Sequence, residues 1–422
     1  MKLIIKKSVA LTILLATLFV AQFSVGMKPA KKKKPGLSGI LASGFENGEI
    51  KFWGKKQGGK FYNIKTFKKR TSKKGEAIPV TAVKFSPDGK LFLAGFEDGV
   101  VEVYKRQYYF WKGFGEWEKI QVLKDCETMV RSLDFSPNGK YLISTSDGTL
   151  DYDGKVIVYK KGDHFLWKKV KTLEDNQFGS RSGSFSPDGK YFAVGIGNEE
   201  DDKQGFVIWD AKKWKILVDL NYNEPIFSVE FSFDSKNLFV FRRFGLDIYD
   251  TNTWEEVGEI PNYIFISPVI SPDCKYLASG LTIEGEFTLL EKFVIFKKEK
   301  SVSSTVSSGQ GKWKFKVIKT LENDVEVRGQ TQLGLIAFRS DGKYMASGLV
   351  KEGKIAIFEK KKDGNWKKIQ MLKGFGGSVV LAWQPLVKFS EKEVFQEKLL
   401  KQKKRADKKK KGFEDVIIKL EK

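Results

Sequence analysis

One histidine, His164, and two cysteines, Cys126 and Cys274, occur in 422 residues. That scarcity excludes a His or Cys metal cluster, a haem, and chemistry that needs two histidines acting together. The chain is also too long for a miniprotein held by disulfides. With a single His and no Gly-x-Ser-x-Gly elbow, a hydrolase triad has little support. Long apolar runs are missing too: the one from Val9 to Ala21 falls short of the roughly 18 to 20 residues that cross a bilayer. Proline is scarce, with 11 residues against 40 Gly, 34 Phe, 13 Tyr and 10 Trp. Such a balance fits many short strands joined by turns rather than the Ala- and Leu-rich helices of βαβ units, so an all-β fold is expected.

What is abundant is positive charge. Lys and Arg number 75 against 52 Asp and Glu, a net +23. A field of that sign attracts polyanions at low salt, but the excess is nearly all Lys, spread over the chain, and does not choose a partner by itself. Lys2, Lys6 and Lys7 precede the apolar run, and Ser24-Val25-Gly26 offers a small-x-small cleavage site. Residues 1–26 therefore read as a secretory signal, followed by a basic linker over 27–36, and the mature chain is expected to begin near Met27 without a membrane span. No Cys stands near the cleavage site, so lipid attachment there is not expected. The destination is the periplasm or the extracellular space.

One pattern returns along the chain. Phe85-Ser86-Pro87-Asp88-Gly89-Lys90 recurs as Phe135-Ser136-Pro137-Asn138-Gly139-Lys140 and Phe185-Ser186-Pro187-Asp188-Gly189-Lys190. Weaker copies lie at Phe231-Ser232-Phe233-Asp234, Ile270-Ser271-Pro272-Asp273 and Phe338-Arg339-Ser340-Asp341, with a truncated seventh at Trp383-Gln384-Pro385. In the full copies a strand ends on an aromatic; Pro sets φ, Asp or Asn bonds the turn, and Gly supplies a left-handed position. Small-residue strands such as Tyr276-Leu277-Ala278-Ser279-Gly280 follow, then alternating strands such as Lys155-Val156-Ile157-Val158-Tyr159, and then a fourth such as Trp167-Lys168-Lys169-Val170-Lys171. Four strands per repeat make one blade.

These units resemble the WD40 repeat family, whose repeats run from an FSPDGK-like turn through an LASG-like strand to a strand ending in an aromatic and often Asp. Ile208-Trp209-Asp210 and Ile248-Tyr249-Asp250 match that ending. The resemblance covers about residues 37–385 and implies an all-β, seven-bladed β-propeller of four-stranded antiparallel blades. The sequence lacks the Gly-His dipeptide of eukaryotic members, so their buried His-to-Asp network does not transfer, and the chain looks like a divergent, bacterial-type version. Ile40-Leu41-Ala42-Ser43-Gly44 begins a unit with no first strand, and Val379-Val380-Leu381-Ala382-Trp383 is a first strand with no unit behind it. The two ends are expected to share the closing blade. Residues 386–422 read as a basic helical extension, with a possible extra strand at 412–421.

In the family's topology, the loops between blades share one face with those between second and third strands. Aligning the start of each inner strand makes Arg131, Arg181 and Phe227 candidate neighbours at the channel mouth, with Arg242, Arg243 and Arg328 in loops of the same face. Five of the nine Arg would gather there, where guanidinium forks suit carboxylate or phosphate. The alternative is that these arginines pair with Asp or Glu at blade junctions. Tyr108, Tyr109, Trp111 and Trp117 belong to a long hairpin whose rings could form an aromatic binding surface, or could simply cover the hairpin's inner side. The acidic run 198–202 lacks the spacing of a calcium loop and reads as a solvated turn. No metal or cofactor is expected. Cys126 and Cys274 would fall on opposite faces, so two free thiols are expected.

The leading functional expectation is an exported, non-enzymatic scaffold, a monomer, that binds a protein partner or an anionic polymer. The contrasting readings are a propeller enzyme or cofactor protein using the central channel, which would need convergent acids or bases, and a nucleic-acid binder, which conflicts with export.

Overall fold

The computed structural model describes residues 39–55, 59–107, 116–148, 154–173, 179–197, 204–282, 292–298, 315–321, 336–349, 353–374 and 379–386. The expected secretory segment, the basic linker and the C-terminal extension beyond Leu386 lie outside them, as do Tyr108, Tyr109, Trp111, Arg328 and the acidic run.

Seven four-stranded antiparallel sheets form, each built from consecutive strands except one. In that sheet, here blade 1, Val379–Trp383 pairs antiparallel with Leu41–Phe45 and is followed outward by Ile50–Lys55 and Phe61–Thr66. Blades 2 to 7 follow in chain order, with inner strands Val80–Phe85, Val130–Phe135, Ser180–Phe185, Ile226–Phe231, Ile264–Ile270 and Ile336–Phe338. Every inner strand lies against those of the preceding and following blades, and blade 7 meets blade 1, so the ring is closed. The expected propeller and its shared blade are present.

The repeated turn shows why this sequence makes blades. Ser86 Oγ donates to Asp88 Oδ1 at 2.6 Å and accepts the Leu91 amide at 2.9 Å, while Asp88 Oδ1 also accepts the Lys90 amide at 3.0 Å. The same set recurs at Ser186 and Asp188 and at Ser271 and Asp273. Gly89, the fourth residue of the turn, donates its amide to the Ser86 carbonyl at 2.8 Å and takes φ +63°. Close approach explains the small residues of the second strands: a Cβ on Gly95 would stand 2.6 Å from Val130 Cγ1 of the next blade.

Apolar side chains fill the spaces between adjacent sheets. Phe52 of blade 1 is fully buried against Phe92 and Trp117 of blade 2, with edge-to-face contacts at 4.8 and 5.2 Å. Burying one such ring contributes about 2–3 kcal/mol. Trp117, expected on an aromatic binding surface, is instead 7% exposed and belongs to this packing. The reason is that both faces of a blade are covered by neighbours, so an aromatic opening the outer strand turns inward. Trp167 and Trp366 do the same in blades 3 and 7. Both cysteines are free. No helix among the described residues is long and apolar enough to cross a membrane.

Candidate functional site

The inner strands carry few titratable side chains: Lys84, Arg131, Asp134, Arg181 and Glu230, all on blades 2 to 5. Those of blades 6, 7 and 1 carry none. The channel wall is therefore charged on one side and apolar on the other.

At the loop-face end, Arg131 is the second residue of its strand and Asp147 follows the second strand of the same blade. Arg131 Nε donates to Asp147 Oδ2 at 3.0 Å, and Nη2 bonds the same oxygen. Arg181, the equivalent residue of blade 4, lies over the ring of Phe227 of blade 5, 5.0 Å from its centroid. Arg242, ending the second strand of blade 5, bonds both oxygens of Asp247 at 3.0 Å through Nε and reaches Glu224 Oε1 at 2.8 Å through Nη1. Burial opposes the charge on Arg242, but Asp247 and Glu224 outweigh it and hold the guanidinium above its ordinary value. Arg243 lies 5.2 Å from the Phe244 ring centroid. Of the residues expected to meet at the mouth, Arg181 and Phe227 touch across a blade boundary, whereas Arg131 and Arg242 are engaged by acids of their own blades.

Deeper in the channel lies a group that the sequence reading missed. Lys84 Nζ pairs with Asp134 Oδ1 of the next blade at 2.9 Å, and the Lys84 side chain keeps 45% of its exposure. Asp134 Oδ2 accepts the Phe185 amide of blade 4 at 2.8 Å, and Glu230 Oε2 accepts the Ile270 amide of blade 6 at 3.0 Å. Serines act alike: Ser132 Oγ accepts the Gly183 amide at 2.9 Å and Ser182 Oγ the Val229 amide at 3.3 Å. Each inner strand is a sheet edge, and in blades 4, 5 and 6 polar side chains of the preceding blade bond amides along that edge. The charge on Asp134 is the main cause that lifts the Lys84 ammonium above its ordinary value. Burial pushes the Glu230 carboxyl up to about 7; the Ile270 amide and Lys84 pull it back, and Asp134 adds to the rise. The available signal was the residue just before the aromatic that ends each inner strand: Lys84-Phe85, Asp134-Phe135 and Glu230-Phe231. Among the described residues no group of His, Cys, Asp and Glu could hold a metal.

Fold and repeats define a seven-bladed β-propeller whose units resemble WD40 repeats. The WD domain, G-beta repeat family model matches residues 67–105 and 117–159, at the first two of the repeated turns. No curated protein matches the chain by sequence. Among solved structures, the chain is similar to the periplasmic gluconolactonase PpgL of Pseudomonas aeruginosa, with 13% identity, TM-score 0.61, and coverage of 83% of this chain and 100% of that one. A protein of Bacteroides uniformis assigned as a 6-phosphogluconolactonase matches with 13% identity and TM-score 0.57, over 82% and 99%. The β-propeller domain of Cps50 (Swd1) from Myceliophteria thermophila matches with 16% identity and TM-score 0.50, over 70% and 86%. At these identities the likeness is one of fold.

The expectation of a non-enzymatic protein is corrected here. It rested on acids and bases being scattered at turns, yet Lys84 and Asp134 pair between inner strands and both charges act on Glu230 of a third, and two solved structures of the same fold are named as lactonases. The architecture is compatible with catalysis as well as with binding.

Proposed function

We propose that this propeller is a recognition platform whose loop face binds an acidic protein segment at the boundary of blades 4 and 5. The observation that carries the reading is the placement of the Arg181 guanidinium over the Phe227 ring, at 5.0 Å, across that boundary. A guanidinium lying over an aromatic ring presents an N–H fork that suits a carboxylate, while the ring offers apolar contact beside it. The neighbouring clasps of Arg131 to Asp147 and of Arg242 to Asp247 and Glu224 support this reading. They fix the flanking loops before a partner arrives, which limits the entropy lost on binding. Net positive charge speeds the approach of an acidic partner. The N-terminal segment supports action outside the cytoplasm.

The test is binding of synthetic Glu- and Asp-rich peptides to the wild type, Arg181→Ala and Phe227→Ala. Loss of affinity in both variants, with unchanged thermal midpoints, supports the reading; unchanged affinity removes it.

A further inference from the structure

On the face opposite the loops, where the turns after the inner strands lie, an open cavity of about 490 Å³ separates blades 6 and 7. We propose that it binds a small phosphate monoester, the dianionic group held by Lys343 and Lys362 and the organic group filling the remaining volume.

Pro272 and Asp273, in the turn of blade 6, form one wall. The other comes from blade 7: its own turn supplies Ser340 to Lys343, and the end of its third strand supplies Lys360 to Lys362. Backbone bonds set these lysines side by side. The Lys360 amide donates to the Lys343 carbonyl at 3.0 Å, and the Lys361 amide donates to the Asn365 carbonyl at 2.8 Å, which closes the hairpin that carries Lys362. A Cβ on Gly342 would meet nothing within 4 Å, so the space beside Lys343 is open. A volume of this size suits a small molecule rather than a bare ion.

Charge decides the ligand. Four lysines of the wall stand against two aspartates, Asp273 and Asp341. Lys360 Nζ bonds Asp273 Oδ2 at 3.2 Å across the blade boundary and lies 4.2 Å from the Tyr276 ring centroid, so it is already held. Asp341 is engaged by Arg339 Nε at 2.9 Å and by the Lys343 amide at 3.0 Å, and Lys361 pairs with Glu359. Lys343 and Lys362 remain: both are exposed, and neither forms an ion pair among the described residues. Two uncompensated ammonium groups on one cavity match a phosphate monoester, which carries close to two negative charges at pH 7. Lysine meets such a group as a point charge, and the Ser340 hydroxyl stands in the same wall. A carboxylate brings one charge and two oxygens and offsets only one of the two ammonium groups. Acidic peptides therefore belong to the loop face and phosphate esters to this one.

Calorimetric titration of the full chain with phenyl phosphate, phenyl sulfate and benzoate tests this. Phenyl phosphate is expected to bind more tightly than the two monoanions, and more tightly at about pH 7.5 than at about pH 5.5, because the second ionisation of a phosphate monoester lies near pH 6. Lys343→Ala and Lys362→Ala should each weaken its binding about tenfold. Lys212→Ala, in the outer hairpin of blade 4 on the same face, should change it little. Sedimentation with vesicles containing phosphatidic acid separates a soluble ester from a lipid headgroup. No saturable binding of phenyl phosphate, equal affinity for benzoate, an equal loss from Lys212→Ala, or capture by vesicles without binding of the soluble ester would each overturn the proposal. None of these outcomes depends on Arg181, so this proposal and the loop-face reading fail separately.

Discussion

The side-chain amide of Gln370 clasps the backbone of Phe61: its Nε2 donates to the Phe61 carbonyl at 2.8 Å and its Oε1 accepts the Phe61 amide at 2.7 Å. Gln121 and Trp167 make the same pair of bonds between blades 2 and 3, at 2.8 and 2.7 Å. The junction between blades 7 and 1 thus repeats an internal junction. Gln384 Nε2 adds a bond to the Gly89 carbonyl at 2.8 Å, tying the last inner strand to the first complete blade.

Replacing Gln370 with Leu removes both bonds and leaves a partly buried amide and carbonyl unpaired. The expected cost is about 2 kcal/mol, read as a lower urea midpoint for unfolding. Gln121→Leu should cost a similar amount, since it opens an equivalent junction.

Ser235 and Cys274 stand where Gly89 stands in its turn, with φ of 59° and 53°. A side chain there is strained by about 1 kcal/mol. Cys274→Gly should therefore raise the unfolding midpoint slightly, even though glycine loses more freedom on folding, whereas Ser235→Gly also deletes the bond that Ser235 Oγ accepts from the Asp188 amide at 2.9 Å and should give no gain. In the folded wild type a thiol reagent should label Cys274 before the buried Cys126.

Glu230 ionises less readily in the folded protein than in an unfolded chain. Its carboxyl is pushed up to about 7 from 4.5. The folded state holds the proton while the unfolded state releases it, so Glu230 lowers stability as pH rises from 4.5 through about 7. Glu230→Gln should match the wild type in acid and become more stable by about 2 kcal/mol at neutral pH and above, measured by urea midpoints across that window.

Export predicts a processed chain. Mass spectrometry of protein recovered outside the cytoplasm should find an N-terminus at or near Met27; an intact Met1 terminus would contradict it.

The fold was legible because its signals are local. Ser86, Asp88 and Gly89 lie within one turn and interact with each other, so their recurrence reports blades directly. Closure was legible because a first strand at Val379 and a missing one before Leu41 are complementary deficits. The side chains were harder. Alternation places Trp117 on one side of its strand but does not reveal that a neighbouring blade covers that side. Asp147 was unreadable as the partner of Arg131, because that pair depends on how the second strand of blade 3 exits. The channel group needs register as well as repeat. Lys84 pairs with Asp134, and both charges act on Glu230, only when the residue before each terminal aromatic is aligned around a closed ring, and the expectation above aligned the other end of the strand.

The account's central claim is recognition at the boundary of blades 4 and 5. It is tested most directly by comparing the affinity of an acidic peptide for Arg181→Ala and for Lys343→Ala, which alters a turn on the opposite face. The account predicts that Arg181→Ala weakens binding about tenfold or more while Lys343→Ala changes it little. Equal effects from the two faces, or none from Arg181, would contradict it.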